Sequence, residues 1–144
     1  MTRLVLDASV GAKWFLPRLR EPWAAEAIGL LQRRAAGEVD FLVPELFWAE
    51  IGNIFWKAAR LERWSHADAA AALEAARGQR FTTVPARELA DKALGIALAT
   101  GRTFYDSLYV ALAVQSGAVM LTADEKLAHA LTGTWPVRWL GAGV

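Results

Sequence analysis

The chain has 144 residues, carries a net charge of +1 and is 55% hydrophobic. Such a composition excludes a disordered segment and fits one domain spanning 1–144, and the near-neutral charge offers no global nucleic-acid signal. With no cysteine and two histidines, disulfides and thiolate metal sites are excluded, zinc is disfavoured, and a metal site would use oxygen ligands.

No apolar run approaches the ~18 residues of a membrane span. Met1 to Asp7 holds one arginine and no long apolar stretch, unlike a signal peptide. A cytoplasmic protein without membrane contact is the expectation.

In chain order, Leu4-Val5-Leu6 reads as a buried strand ending at Asp7. Ser9 to Leu16 suits a short helix stopped by Pro17, and Arg18 to Pro22 a connection. Trp23 to Ala36 has Ala24, Ala27, Ile28 and Leu31 at helical spacing, with Gly37 as its stop. Phe41-Leu42-Val43 is a second strand, and Pro44 fits the first turn of the next helix. That helix, Glu45 to Arg60, is apolar nearly all round, and an Ala-rich helix follows over His66 to Arg77. Phe81 to Val84 is a third strand, closed by Pro85; Arg87 to Thr100 is helical and ends at Gly101. Phe104 to Gln115 is a helix buried on most sides, Val119-Met120-Leu121 a fourth strand, Asp124 to Leu131 a helix, and Val137 to Leu140 a last edge strand. Short apolar strands alternating with helices predict an α/β domain whose mostly parallel sheet is covered on both faces.

In open α/β sheets, ligands bind beyond the carboxyl ends of the strands. Asp7 ends the first strand, Asp124 follows the fourth, and Asp106 opens the helix after the Gly101 turn. Glu50 lies inside an apolar helix, sharing one polar stripe with Asn53 and Lys57. Each acid also has an ordinary structural explanation. Asp7 could be a turn residue, Asp106 and Asp124 helix caps, and Glu50 a solvated neighbour of Lys57. Thr122 and Glu125 match a capping box. The conjunction favours a site: four carboxylates in one pocket repel one another unless cations neutralise them, and hard oxygen ligands select Mg²⁺ or Mn²⁺. Such ions serve phosphodiester hydrolysis.

The segments Leu6-Asp7-Ala8-Ser9-Val10, Pro44-Glu45 to Glu50 with Asn53, Tyr105-Asp106-Ser107-Leu108-Tyr109-Val110-Ala111-Leu112-Ala113, and Leu121-Thr122-Ala123-Asp124 together resemble PIN-domain proteins, most of all the VapC toxins of toxin–antitoxin pairs. The resemblance spans nearly the whole chain. It implies an α/β/α sandwich and Mg²⁺- or Mn²⁺-dependent endoribonuclease action on RNA. It implies Asp7, Glu50, Asp106 and Asp124 at the four acidic positions, with Asp7 and Asp106 as central metal ligands. Ser9, Asn53 and Thr122 then stand at accessory polar positions. It also implies a VapB-like antitoxin partner and a homodimer.

A haloacid-dehalogenase-type phosphatase would need an acid where Ser9 stands, and no receiver-type acid pair, Gly-rich phosphate loop or G-x-S-x-G context occurs. The remaining alternative is a non-catalytic RNA- or protein-binding module of the same fold. Trp48, Trp56 and Trp64 read as core packing; an exposed Trp48–Trp56 face would instead offer a dimer or antitoxin contact.

Overall fold

The computed structural model describes residues 1–17, 21–61 and 64–143. The first three residues of the connection expected at Arg18 to Pro22 lie outside the described residues. Five strands, β1 (Thr2–Leu6), β2 (Val39–Pro44), β3 (Thr82–Val84), β4 (Val119–Thr122) and β5 (Val137–Trp139), form one sheet in the order β3-β2-β1-β4-β5. Every pairing is parallel. The helices are α1 (Ala8–Gly11), α2 (Ala24–Ala35), α3 (Leu46–Arg60), α4 (His66–Gly78), α5 (Ala86–Thr100), α6 (Phe104–Ser116) and α7 (Glu125–Leu131).

A parallel sheet needs both faces covered, and its central strands accordingly bury Val5, Leu6, Phe41, Val43, Met120 and Leu121. Helix α6 lies in the middle of the molecule, with Ser107 to Ala113 all buried, and packs on α5 and on β1, β2 and β4. Helix α3 buries one stripe, Phe47, Ile51, Phe55 and Ala58, rather than its whole circumference. Trp48 and Trp64 pack against the core as expected, whereas Trp56 stays 57% exposed beneath the Arg60 guanidinium.

The chain leaves β1 towards β2 and β3 on one side, then returns across β1 to lay β4 and β5 on the other. The sheet therefore changes direction between β1 and β4, where ligands bind in open α/β folds. A close approach supports this end. A Cβ at Gly11 would stand 3.1 Å from the Phe47 ring and 3.3 Å from Leu6, so glycine lets α1 and α3 meet above β1.

Four expectations need correction. The helix after Asp7 ends at Gly11 and tightens into a 3-10 turn over Ala12–Trp14, short of Leu16. Pro44 closes β2 opposite Val84 rather than opening α3; with no N–H to offer, it leaves the next ladder bond to Glu45, which donates to the Val84 carbonyl at 2.9 Å. Leu140 belongs to a 3-10 turn, so β5 stops at Trp139. Thr122 is not the cap of α7: that helix starts at Glu125 with Asp124 as its N-cap, and the Thr122 hydroxyl donates to Asp7. No helix among the described residues is long and apolar enough to cross a membrane.

Candidate active site

Asp7, Ser9, Glu50, Asn53, Asp106 and Asp124 line one cavity of ≈ 380 Å³ at the switch point, together with Ala8, Ala49, Ile54 and Leu127. Thr122 lies beneath it, fully buried. Lys57, on the same helical stripe, is not among the lining residues.

Asp7 is clamped across the switch point. Its Oδ2 accepts from the Ser9 and Thr122 hydroxyls, each at 2.7 Å. Both hydroxyls also accept a backbone N–H, Ser9 from Ala123 and Thr122 from Asp124, each at 3.1 Å. With donor and acceptor roles fixed, each hydroxyl has one orientation, and the pair ties the end of β1 to the end of β4. The buried Thr122 hydroxyl is thereby satisfied.

Asp124 is the true N-cap of α7: its Oδ1 accepts the Leu127 N–H at 3.1 Å. Asp106 is not a cap. Thr103 caps α6, accepting the Asp106 N–H at 3.0 Å, and leaves the Asp106 carboxylate on the first turn facing the cavity. Glu50 is held by the Tyr109 hydroxyl, which donates to its Oε1 at 2.6 Å. Asp7, Glu50 and Asp124 thus each have one oxygen fixed and the other without a side-chain partner among the described residues.

The electrostatics agree with crowding. Burial pushes the Asp7 carboxyl above the usual range, against the Ser9 and Thr122 hydrogen bonds, and the Asp106 charge adds to the rise. Glu50 is raised by burial and by Asp7 and Asp106, against the Tyr109 bond. Asp106 is raised by burial and by Asp124, with Arg102 and Thr103 pulling it back. Arg102 also donates to the Lys126 carbonyl at 3.2 Å, joining the loop before α6 to α7.

Tyr109 was not among the site residues expected from sequence. It sits three residues after Asp106, one turn along α6, and it is buried like a core aromatic. Only its hydroxyl distinguishes it from a packing residue. Burial and the neighbouring Asp7 and Glu50 charges push its own titration far up, so it stays a donor. Tyr109→Phe keeps the ring and leaves Glu50 short of a charge-assisted bond. The expected result is a stability change of about 1–3 kcal/mol in urea melts and a loss of nuclease activity smaller than for any of the four acids.

Among the described residues no three acidic or histidine side chains are grouped tightly enough to hold an ion alone. Mg²⁺ needs no all-protein cage: it keeps several of its waters and takes one or two carboxylates directly. Four hard carboxylates, with the pKa raised at Asp7, Glu50 and Asp106, fit a divalent cation by donor chemistry.

A family model described as PIN domain matches residues 4–130. Ribonuclease VapC3 of Pyrobaculum aerophilum is 33% identical over 130 residues, covering 88% of this chain and 93% of the relative. A solved structure from the same organism superposes with a TM-score of 0.65 at 27% identity, covering 98% of this chain and 85% of its own. A toxin–antitoxin complex from Klebsiella pneumoniae superposes with a TM-score of 0.60 at 15% identity, covering 94% and 95%.

Proposed function

The chain belongs to the PIN-domain family, and from that premise we propose that it is a divalent-metal-dependent endoribonuclease, the toxin half of a VapBC-type toxin–antitoxin pair. The observation that carries this reading is the gathering of Asp7, Glu50, Asp106 and Asp124 around one cavity. Asp124 also caps α7, but burial and mutual repulsion disfavour the carboxylates of Asp7, Glu50 and Asp106 there. The name of the ribonuclease relative supports RNA as substrate, and the Klebsiella complex supports an antitoxin partner.

Asp7 and Asp106 would hold the principal Mg²⁺ or Mn²⁺, with Asp124 and Glu50 completing the charge of the site. Such an ion supplies activation of a water nucleophile and charge neutralisation at the phosphoryl oxygens. The chain's own groups do the positioning. Ser9 and Thr122 hold Asp7 by one oxygen at the cavity wall, and Tyr109 does the same for Glu50. Asn53, exposed on the next turn of α3, offers an amide to the ribose or phosphate of the substrate. The test is cleavage of structured RNAs by the purified chain with Mn²⁺, with Mg²⁺ and with EDTA. Cleavage that requires the ion supports the reading; binding of RNA without cleavage under any of these conditions replaces it with a non-catalytic binding module.

A homodimer belongs to the same proposal. Trp56 on α3 is 57% exposed, and Leu94 and Leu98, one turn apart on α5, are 52% and 79% exposed. Light scattering at micromolar concentration is expected to give twice the chain mass, and a monomer there would remove the dimer from the account.

A further inference from the structure

A second cavity, ≈ 630 Å³, lies along the outer edge of the sheet between α7 and β5. His129, Thr132, Trp135, Arg138 and Trp139 line it, with no acidic residue among the lining side chains. It is therefore the chemical opposite of the acid cavity: aromatic planes beside basic groups. We propose that it is a subsite for a nucleotide of single-stranded RNA, one that seats the substrate beside the acid cluster. The inference rests on the ribonuclease reading above and names where that substrate is gripped.

Three observations support a nucleotide rather than a plain apolar contact. First, the position is suitable. Trp139 pairs in register with Thr122, the residue that clamps Asp7, so the Trp139 wall of the groove stands one strand from the end of β4, and from there the groove runs back along β5 to Val119 and Val137. Helix α7 joins them, with Asp124 at one cavity and His129, just over one turn later, at the other. A chain lying across the acids would reach this groove with its neighbouring nucleotides.

Second, the aromatic platform is built rather than incidental. The Trp139 ring presses on Gly141 so closely that a Cβ there would stand 2.5 Å from it. His129 and Trp23 meet the same ring edge-on, at 5.9 and 5.3 Å between centroids. Trp23 is held in left-handed backbone at φ 61, a conformation that bulky residues adopt only when their surroundings impose it. Third, the Trp139 indole N–H has no acceptor among the described residues, although it is buried. A base stacked in the groove carries acceptors on its edges, and its phosphate matches the exposed Arg138.

The test uses Asp106→Asn protein in EDTA, which binds without cutting, and a fluorescein-labelled single-stranded RNA of mixed sequence read by anisotropy. Trp135→Ala and, separately, Arg138→Glu are expected to weaken binding at least about fivefold, and in the active enzyme to raise KM with little change in kcat. Arg138 is exposed, so Arg138→Glu remains informative if the tryptophan variant folds poorly. Arg87→Glu on α5, after the opposite edge strand, is the charge-matched control and is expected to leave both readings unchanged. Unchanged anisotropy and KM in a protein that still cleaves RNA would overturn the subsite and leave the ribonuclease reading standing. A wild-type chain that neither binds nor cleaves RNA would overturn both. Arg138→Glu that splits a dimer while leaving RNA affinity intact would assign the groove to a second copy of the chain and overturn the subsite.

Discussion

Replacing Asp7 or Asp106 by asparagine should abolish RNA cleavage while leaving the fold intact or firmer. The amide has the shape of the carboxylate, and at position 7 its oxygen can still accept from Ser9 or Thr122. What is lost is charge. Groups that merely orient a metal ligand cost 10- to 100-fold when removed, so losing a ligand charge should cost about a hundredfold or more. Ser9→Ala, which removes one of two clamps on Asp7, belongs in the smaller class. Stability should move the other way. Burial and the neighbouring acids disfavour the Asp7 carboxylate, so the metal-free Asp7→Asn protein should melt no lower than wild type at neutral pH. Loss of activity together with loss of folding would mean that Asp7 acts only as a structural residue.

The second large effect is linked to pH. Asp7, Glu50 and Asp106 all have carboxyl pKa values raised in the folded state above the ordinary carboxylate range. An acid with a raised folded pKa takes up protons more readily when folded. Its stabilising contribution is complete below the unfolded value and disappears as pH rises through the folded value. Metal-free protein should therefore lose stability as pH climbs from about 4 through those raised values. A divalent cation occupies the place the protons leave, so Mn²⁺ should restore stability, and do so more strongly at higher pH. Near saturation the gain should be about 1–3 kcal/mol, read as a rise in melting temperature. A metal-free protein that grows steadily more stable from pH 4 to 8, or no response to Mn²⁺, would contradict the crowded-acid account.

Much of this site was legible without coordinates, for reasons that belong to particular residues. Asp7 follows an apolar strand directly and Asp124 lies two residues after another, and in a parallel sheet strand ends converge on one edge. Glu50 stood out because α3 has so few polar residues. Other features were hidden because one residue type serves two purposes. Thr122 and Glu125 have capping-box spacing, yet the cap is Asp124, and Thr122 spends its hydroxyl on a residue 115 positions earlier. No local pattern encodes such a pairing. Pro44 looked like a helix opener because proline suits both a first helical turn and a strand end. Tyr109 was invisible for the same reason: within a buried helix, a tyrosine and a phenylalanine pack alike until the hydroxyl meets a carboxylate. The groove at Trp135 and Trp139 depends on how β5 folds back beside α7, which spacing along the chain does not reveal.

The most direct test of the central claim is the chemistry of the cut ends. Only His66 and His129 could act as imidazole bases, and neither lines the acid cavity. The site is instead a cluster of carboxylates suited to a divalent cation, and on the proposed reading water activated by that ion, not the RNA 2′-hydroxyl, would be the nucleophile. End-group analysis of RNA cleaved in Mn²⁺ should find a 5′-phosphate and a 3′-hydroxyl at every cut, with cleavage stopped by EDTA. A 2′,3′-cyclic phosphate, or cleavage that persists in EDTA, would contradict catalysis by Asp7, Glu50, Asp106 and Asp124.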